Sequence, residues 1–363
     1  MPYSPQEVQI AARPHPYYNL AMIFLLSEHS SDPVLRVFSR MSDSELRDPK
    51  QLVGLSRATG IRFSDEGIFI AESRNVIERA LNAGLQPFAL ISEQRWLEPH
   101  RDLFERIENL EQNEELGVLR HGAVPRDGVV SQSGIATHQA AIPQHDSIPQ
   151  RGTVPQGRAV FQRGNIPQYI GTHAEIEKLT GFKRTVGPIA AFHRPALPSL
   201  DCILSKARRV AVLEDITNFT NIGAIFRSAA ALGMDAILIT PGCHDPFYRR
   251  AARVSMGTVF QVPWTRIGTT RTWAEEGIPL LKQCGFISVA LALKENSLRL
   301  QDPRIVNAEK LALVLGTEGD GLARTTITHC DYTVKIPMAH NVDSLNVAAA
   351  SAVAFWETCG RFK

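Results

Sequence analysis

The feature that most constrains this chain is the rhythm of its second half, where short apolar runs alternate with longer amphipathic stretches. The runs at 210–213, 236–240, 286–292, 311–315 and 332–336 have the length and β-branched content of buried strands. Between and after them, 222–232, 272–284, 322–328 and 344–356 read as helices. Strands apolar on both faces need helices on both faces, and that combination implies a parallel sheet. Residues 200–363 therefore read as a doubly wound α/β domain.

The first half is less regular. Residues 1–111 read as mixed α/β: a strand at 67–72, a helix over 75–83 that stops at Gly84, and a second strand at 87–92. From 118 to 168, Val or Ile recurs every six residues, often followed by Pro-Gln, as in Ile142-Pro143-Gln144 and Ile148-Pro149-Gln150. A hexapeptide solenoid has that period. Proline after the apolar position, however, removes a ladder donor in unit after unit. One apolar residue in six hardly offsets the entropy of ordering the other five. The tract reads as a flexible hexad-repeat insertion. A strand at 169–173 and a helix at 174–180 follow it, so the insertion interrupts a first domain made of 1–111 plus 169–195.

Composition narrows the class. With 44% hydrophobic and 21% charged residues the chain can fill a core, and a net charge of +2 excludes a polybasic tail. Clustered basic residues would still bind RNA, because the local field decides. Cysteines 202, 243, 284, 330 and 359 form no CxxC pair, which argues against a zinc knuckle or a disulfide framework. No metal site is expected, and the thiols suit a reducing, cytoplasmic setting. The apolar run 20–26 is too short to span a bilayer and lacks signal-peptide flanks, so no membrane association is expected.

Three segments carry candidate chemistry. Asn218-Phe-Thr-Asn221 opens a helix that carries Arg227, six residues beyond Asn221 and roughly on its face. Read singly, it is a capped amphipathic helix with a surface arginine. Leu313-Val-Leu-Gly316-Thr317-Glu318-Gly319-Asp-Gly321 is a buried strand running into a loop with three glycines in six residues. It is neither a phosphate loop nor a GxGxxG fingerprint. Its Glu318 lies at the carboxyl end of a strand, where open α/β sheets place their ligands. Ile336-Pro337-Met338 leaves the last strand, and Ser344-Leu345-Asn346 leads into an Ala-rich helix where Asn346 is unexpected.

In this order the three segments resemble motifs one, two and three of the SpoU (TrmH-type) RNA 2′-O-ribose methyltransferases of the SPOUT superfamily. The resemblance covers essentially all of 205–358. Each motif is weak alone, but three in order at this spacing are specific. Asp245-Pro-Phe-Tyr-Arg249-Arg250 and Val254-Ser-Met-Gly257-Thr-Val-Phe260 resemble segments between motifs one and two. Residues 67–72 and the helix after them resemble the family's smaller N-terminal domain, a ribosomal-protein-like RNA-binding fold.

The resemblance implies a trefoil-knotted α/β methyltransferase domain, a homodimer through that domain, and S-adenosylmethionine as cofactor. Cofactor contacts would come from Gly316, Thr317, Glu318, Gly319, Ile336, Pro337, Met338 and Leu345. Asn221, Arg227, Glu318, Ser344 and Asn346 would form the catalytic group. The substrate would be ribosomal or transfer RNA. Phe219 and Ala348 depart from the family's usual proline and serine, which puts loop shape in doubt without removing a catalytic group. Alternatives are a non-catalytic RNA-binding module with this fold and a methyltransferase acting on a base. A guanidinium holds its proton too tightly to be a ready base. Arg227 is therefore expected to hold a phosphate or the developing alkoxide, with Glu318 orienting it or accepting the proton.

Overall fold

The computed structural model describes residues 23–39, 41–114, 166–181, 187–269, 272–340 and 342–359. The hexad tract lies outside the described residues except for its last unit. That unit, Ile166-Pro167-Gln168, is not part of an insertion: the Pro167 carbonyl accepts from Leu90 N at 2.9 Å, and buried Gln168 opens a strand.

The first part contains β1 (Ile23–Leu25), α1 (Leu26–His29), α2 (Arg36–Ser39), α3 (Asp43–Arg47) and α4 (Pro49–Thr59). It continues through β2 (Ile68–Glu72), α5 (Arg74–Asn82), β3 (Pro87–Glu93), α6 (Arg101–Glu114), β4 (Gln168–Gly171), α7 (His173–Thr180) and β5 (Ile189–His193). Helices α1 to α4 were unforeseen in the sequence, and α3 and α4 rest on local caps. Ser42 and Glu45 form a capping box on α3, and Asp48 caps α4 behind Pro49. The strands form a mixed sheet in the order β1-β4-β3-β5-β2, with β1, β4 and β3 parallel and β5 antiparallel to both β3 and β2.

The second part runs α8 (Leu200–Lys206), β6 (Arg209–Leu213), α9 (Phe219–Leu232), β7 (Ala236–Ile239), α10 (Arg249–Val254), β8 (Trp264–Arg266) and α11 (Trp273–Gln283). Then come β9 (Ile287–Leu291), β10 (Leu298–Arg299), α12 (Pro303–Val306), β11 (Leu311–Leu315), α13 (Arg324–His329), β12 (Tyr332–Lys335) and α14 (Val347–Cys359). Every pairing in this sheet is parallel, in the order β10-β12-β9-β11-β6-β7-β8. The chain steps outward through β6, β7 and β8, then returns to the other side of β6 for β11, β9 and β12. Such a reversal opens a crevice at the carboxyl ends of the strands.

Two helices start elsewhere than the sequence suggests. Helix α9 begins at Phe219 under an Asn218 cap, whose Oδ1 accepts from Thr220 N (2.8 Å) and Asn221 N (3.4 Å). Asn221 is therefore inside the first turn rather than before it. Helix α14 begins at Val347, and its cap is Asn346, whose Oδ1 accepts from Ala348 N (2.9 Å) and Ala349 N (3.3 Å). The helix therefore starts three residues later than 344, the position the sequence suggests.

One apolar core runs under both sheets, joining Phe69, Phe192 and Leu90 to Phe226, Phe247 and Trp264. At the seam Phe69 meets Phe247 and Phe260, with ring centroids 5.4 and 5.1 Å apart. Arg249 Nε donates to Asp43 Oδ1 at 3.2 Å, and Arg79 donates to the Met256 carbonyl. The stretches 245–250 and 254–260 thus pack the two parts together. Helices α9 and α10 approach so closely that a Cβ on Gly223 would lie 2.6 Å from the Ala251 carbonyl oxygen.

Candidate active site

The loops after β9, β11 and β12, together with the start of α14, enclose a cavity of about 750 Å³. Its lining includes Gly316, Thr317, Glu318, Gly319, Ile336, Met338, Ser344, Leu345 and Asn346. Pro337 is exposed and stays outside the lining. Leu291, Ala292, Leu293 and Lys294, at the carboxyl end of β9, also line it and were missed in the sequence. The available signal was their position after a parallel strand, which the other two loops share.

The β11 loop folds back sharply. A Cβ on Gly316 would come within 2.4 Å of the Gly321 carbonyl carbon and oxygen, so only glycine fits without moving backbone. Thr317 N donates to the Gly321 carbonyl at 3.2 Å and closes the turn. The far end of the loop is held from beneath by Glu214, a buried carboxylate at the end of β6. It accepts from Ala323 N (2.6 Å), Trp273 Nε1 (2.8 Å) and the Thr326 hydroxyl. All three donors lie far from Glu214 in the sequence, so no motif announces it.

Motifs one, two and three meet at Asn346. Its Nδ2 donates to Asn221 Oδ1 at 3.1 Å and to Glu318 Oε1, while its Oδ1 caps α14. The side chain thus uses both amide hydrogens and its oxygen. Buried Asn221 and exposed Glu318 are pinned on either side of one residue. Ser344 lines the same cavity.

Arg227 does not join this group. Six residues of α-helix rotate a side chain by about 600°, leaving it about 120° from Asn221 rather than on its face. Asn221 is buried and Arg227 exposed, with no hydrogen bond or ion pair for Arg227 among the described residues.

A parallel α/β sheet with a glycine-bent loop and a polar cluster at one strand-end cavity defines a ligand-binding α/β domain. Comparison with known proteins identifies it further. The SpoU rRNA Methylase family matches residues 208–356. The 23S rRNA (guanosine-2′-O-)-methyltransferase RlmB of Escherichia coli K12 is 30% identical over 194 residues, 52% of this chain and 75% of that protein. The chain belongs to the SpoU rRNA methylase family. An uncharacterised tRNA/rRNA methyltransferase of Mycobacterium bovis is 40% identical over 192 residues; the match spans 53% of this chain and 65% of the mycobacterial protein's length. Among solved structures, an AdoMet-bound rRNA methyltransferase from Sinorhizobium meliloti shares the fold with a TM-score of 0.60 at 17% identity, covering 93% of this chain and 97% of that one. The SpoU methyltransferase AviRb from Streptomyces viridochromogenes does so with a TM-score of 0.56 at 19% identity, over 87% of this chain and 95% of that one. No helix among the described residues is long and apolar enough to cross a membrane.

Proposed function

We propose that the chain is an S-adenosylmethionine-dependent RNA methyltransferase that methylates a ribose 2′-hydroxyl of ribosomal or transfer RNA in the cytoplasm. The observation that carries this reading is the convergence of Asn221, Glu318 and Asn346 at the edge of the 750 Å³ cavity. The cavity suits an adenosine-sized group: apolar walls from Leu291, Leu315, Val334 and Ile336, with glycine-loop backbone beside them. Residues 316–319, Ile336, Met338 and Leu345 are the proposed cofactor contacts, with Pro337 joining two of them. RlmB of Escherichia coli is named for guanosine 2′-O-methylation, which supports ribose over base.

When bound, the cofactor supplies an activated methyl on a sulfonium with a neutral leaving group. What the chain must add is position and electrostatics. Asn346 fixes the Glu318 carboxylate, which accepts the 2′-hydroxyl proton as the oxygen attacks. Asn221 and Ser344 orient the ribose. Arg227 supplies positive charge to a phosphate or to the developing alkoxide.

Arg227 stands apart from its own protomer's cluster, and this supports a site shared across a homodimer. Val353 and Trp356 on α14, with Val342 and Leu345 before it, leave apolar surface exposed. The trefoil knot belongs to the same proposal, as does RNA binding by 1–111 with 169–195.

Methyl-labelled cofactor and ribosomal RNA test the reaction. A 2′-O-methyl product resists alkali and releases labelled dinucleotides. Labelled mononucleotides would mean base methylation, and RNA binding without transfer would mean a binding module. Co-expressing Arg227→Ala with Gly316→Trp tests sharing. Activity restored to at most half supports it, and silent heterodimers reject it.

A further inference from the structure

A second cavity, of about 310 Å³, opens on the seam between the two sheets, lined by Arg47, Pro241, Cys243, His244, Asp245, Tyr248 and Arg266. We propose that it seats a phosphodiester of the substrate RNA backbone flanking the target nucleotide, with Arg47 and Arg266 as the cations. This rests on the reading that the chain acts on RNA.

Charge balance is the first argument. Buried Asp245 takes a 2.8 Å hydrogen bond from Arg194 Nη2, and Arg194 is itself buried. The two charges of that pair cancel. Arg47 Nη1 at 3.3 Å and Arg266 Nη2 at 3.9 Å lean on the same carboxylate, their side chains 42% and 26% exposed. Three guanidiniums therefore share one carboxylate. Of the neighbouring acids, Asp43 is engaged by Arg249, while the Asp215 carboxylate accepts from the uncharged Thr240 hydroxyl but stays outside the lining, so three guanidiniums face at most two carboxylates. Burial, and after it the charge of Arg47, lowers the affinity of Arg266 for its proton. An anion in the cavity removes that conflict, and a phosphodiester matches a guanidinium fork.

Position is the second argument. The His244 ring stacks on Phe219 with centroids 4.4 Å apart, and Tyr248 meets Phe219 at 5.5 Å. His244 Nδ1 is buried without a partner among the described residues. Phe219 opens α9 two residues before Asn221, so a single aromatic stack joins the seam cavity to the catalytic cluster. This residue is also a departure from the family's usual proline. In place of a preset φ at the first helical position, the chain has a ring that packs against His244 and Tyr248 of the seam cavity.

The test measures binding of a labelled single-stranded oligoribonucleotide of mixed sequence by anisotropy across a salt series. Wild type is compared with Arg47→Gln, Arg266→Gln, the double variant, both Lys variants, and Arg304→Gln as a remote control. The double Gln variant should lower the slope of log K against log salt by about 0.7, the share of one phosphate on a single strand. Each single Gln variant should lose part of that and no more, because both arginines serve one phosphate. Lys variants and Arg304→Gln should keep the wild-type slope. Gln variants with the wild-type slope would overturn the proposal. So would saturable binding of inorganic phosphate by wild type at an unchanged RNA slope, which marks a free-anion site. Calorimetry with S-adenosylmethionine should give equal affinity throughout. A wild type that binds RNA with this slope pattern but transfers no methyl would sink the reaction while leaving the subsite standing.

Discussion

Replacing Asn346 separates its two jobs. Asn346→Ala removes the α14 cap, which costs about 1 kcal/mol. It also strands the Asn221 Oδ1 in a buried position, at about 1–3 kcal/mol. The expected loss is therefore about 2–4 kcal/mol. Asn346→Ser restores a cap acceptor but no amide, so it should recover about 1 kcal/mol and keep the remaining loss. Asn346→Asp keeps the cap at a helix N-terminus, yet it sets a carboxylate against Glu318 and an acceptor against Asn221. Urea unfolding followed by tryptophan fluorescence measures all three, since Trp356 lies on α14 itself. Alanine and serine variants of equal stability would refute the cap assignment. An alanine variant within about 0.5 kcal/mol of wild type, the spread of inert surface changes, would refute the bridge as well.

Gly316→Ala should lose at least about tenfold in S-adenosylmethionine affinity by calorimetry and about 1–3 kcal/mol in stability, because its Cβ meets the Gly321 backbone. Arg227→Ala should melt within about 0.5 kcal/mol of wild type and bind cofactor normally, yet transfer no methyl in a single-turnover assay. Burial pushes the Cys243 thiol up to about 11 and the Cys330 thiol up to about 12. At pH 8 the Cys243 thiol therefore stays almost wholly protonated. Iodoacetamide mapped by mass spectrometry should mark exposed Cys202 first and reach the other two only on unfolding.

The parallel sheet was legible because β6, β7 and β11 are apolar on every residue or nearly so, and β11 begins and ends where its sequence run does. Strands β8 and β10 were not, since three and two residues at a sheet edge carry too little pattern. Helices α1 and α2 were hidden for the same reason, four residues each, while α3 and α4 are started by caps at Ser42 and Asp48. Most of the cavity-lining residues came from the three motifs in order. Asn221 and Asn346 were named for chemistry, but their contact depends on where two helices begin, which propensity places only to within a turn. Glu214 and the Asp245 cluster stayed invisible because their partners are remote in the chain.

The first sheet is interleaved in a way that governs how the chain can be made. Each of its pairings, β1 with β4, β3 with β4, β3 with β5 and β2 with β5, joins a strand before residue 115 to one after residue 165. A growing chain therefore emerges from the ribosome with three strands and no neighbour for any of them. Closure waits for His193, and such distant pairing makes folding slow and leaves strand edges open meanwhile. The same weave has a converse. A chain cut anywhere between 115 and 165 yields two pieces, neither of which holds a single pair of adjacent strands from this sheet, while the two together hold them all. Each piece is then the other's template, and the sheet forms from the halves or not at all.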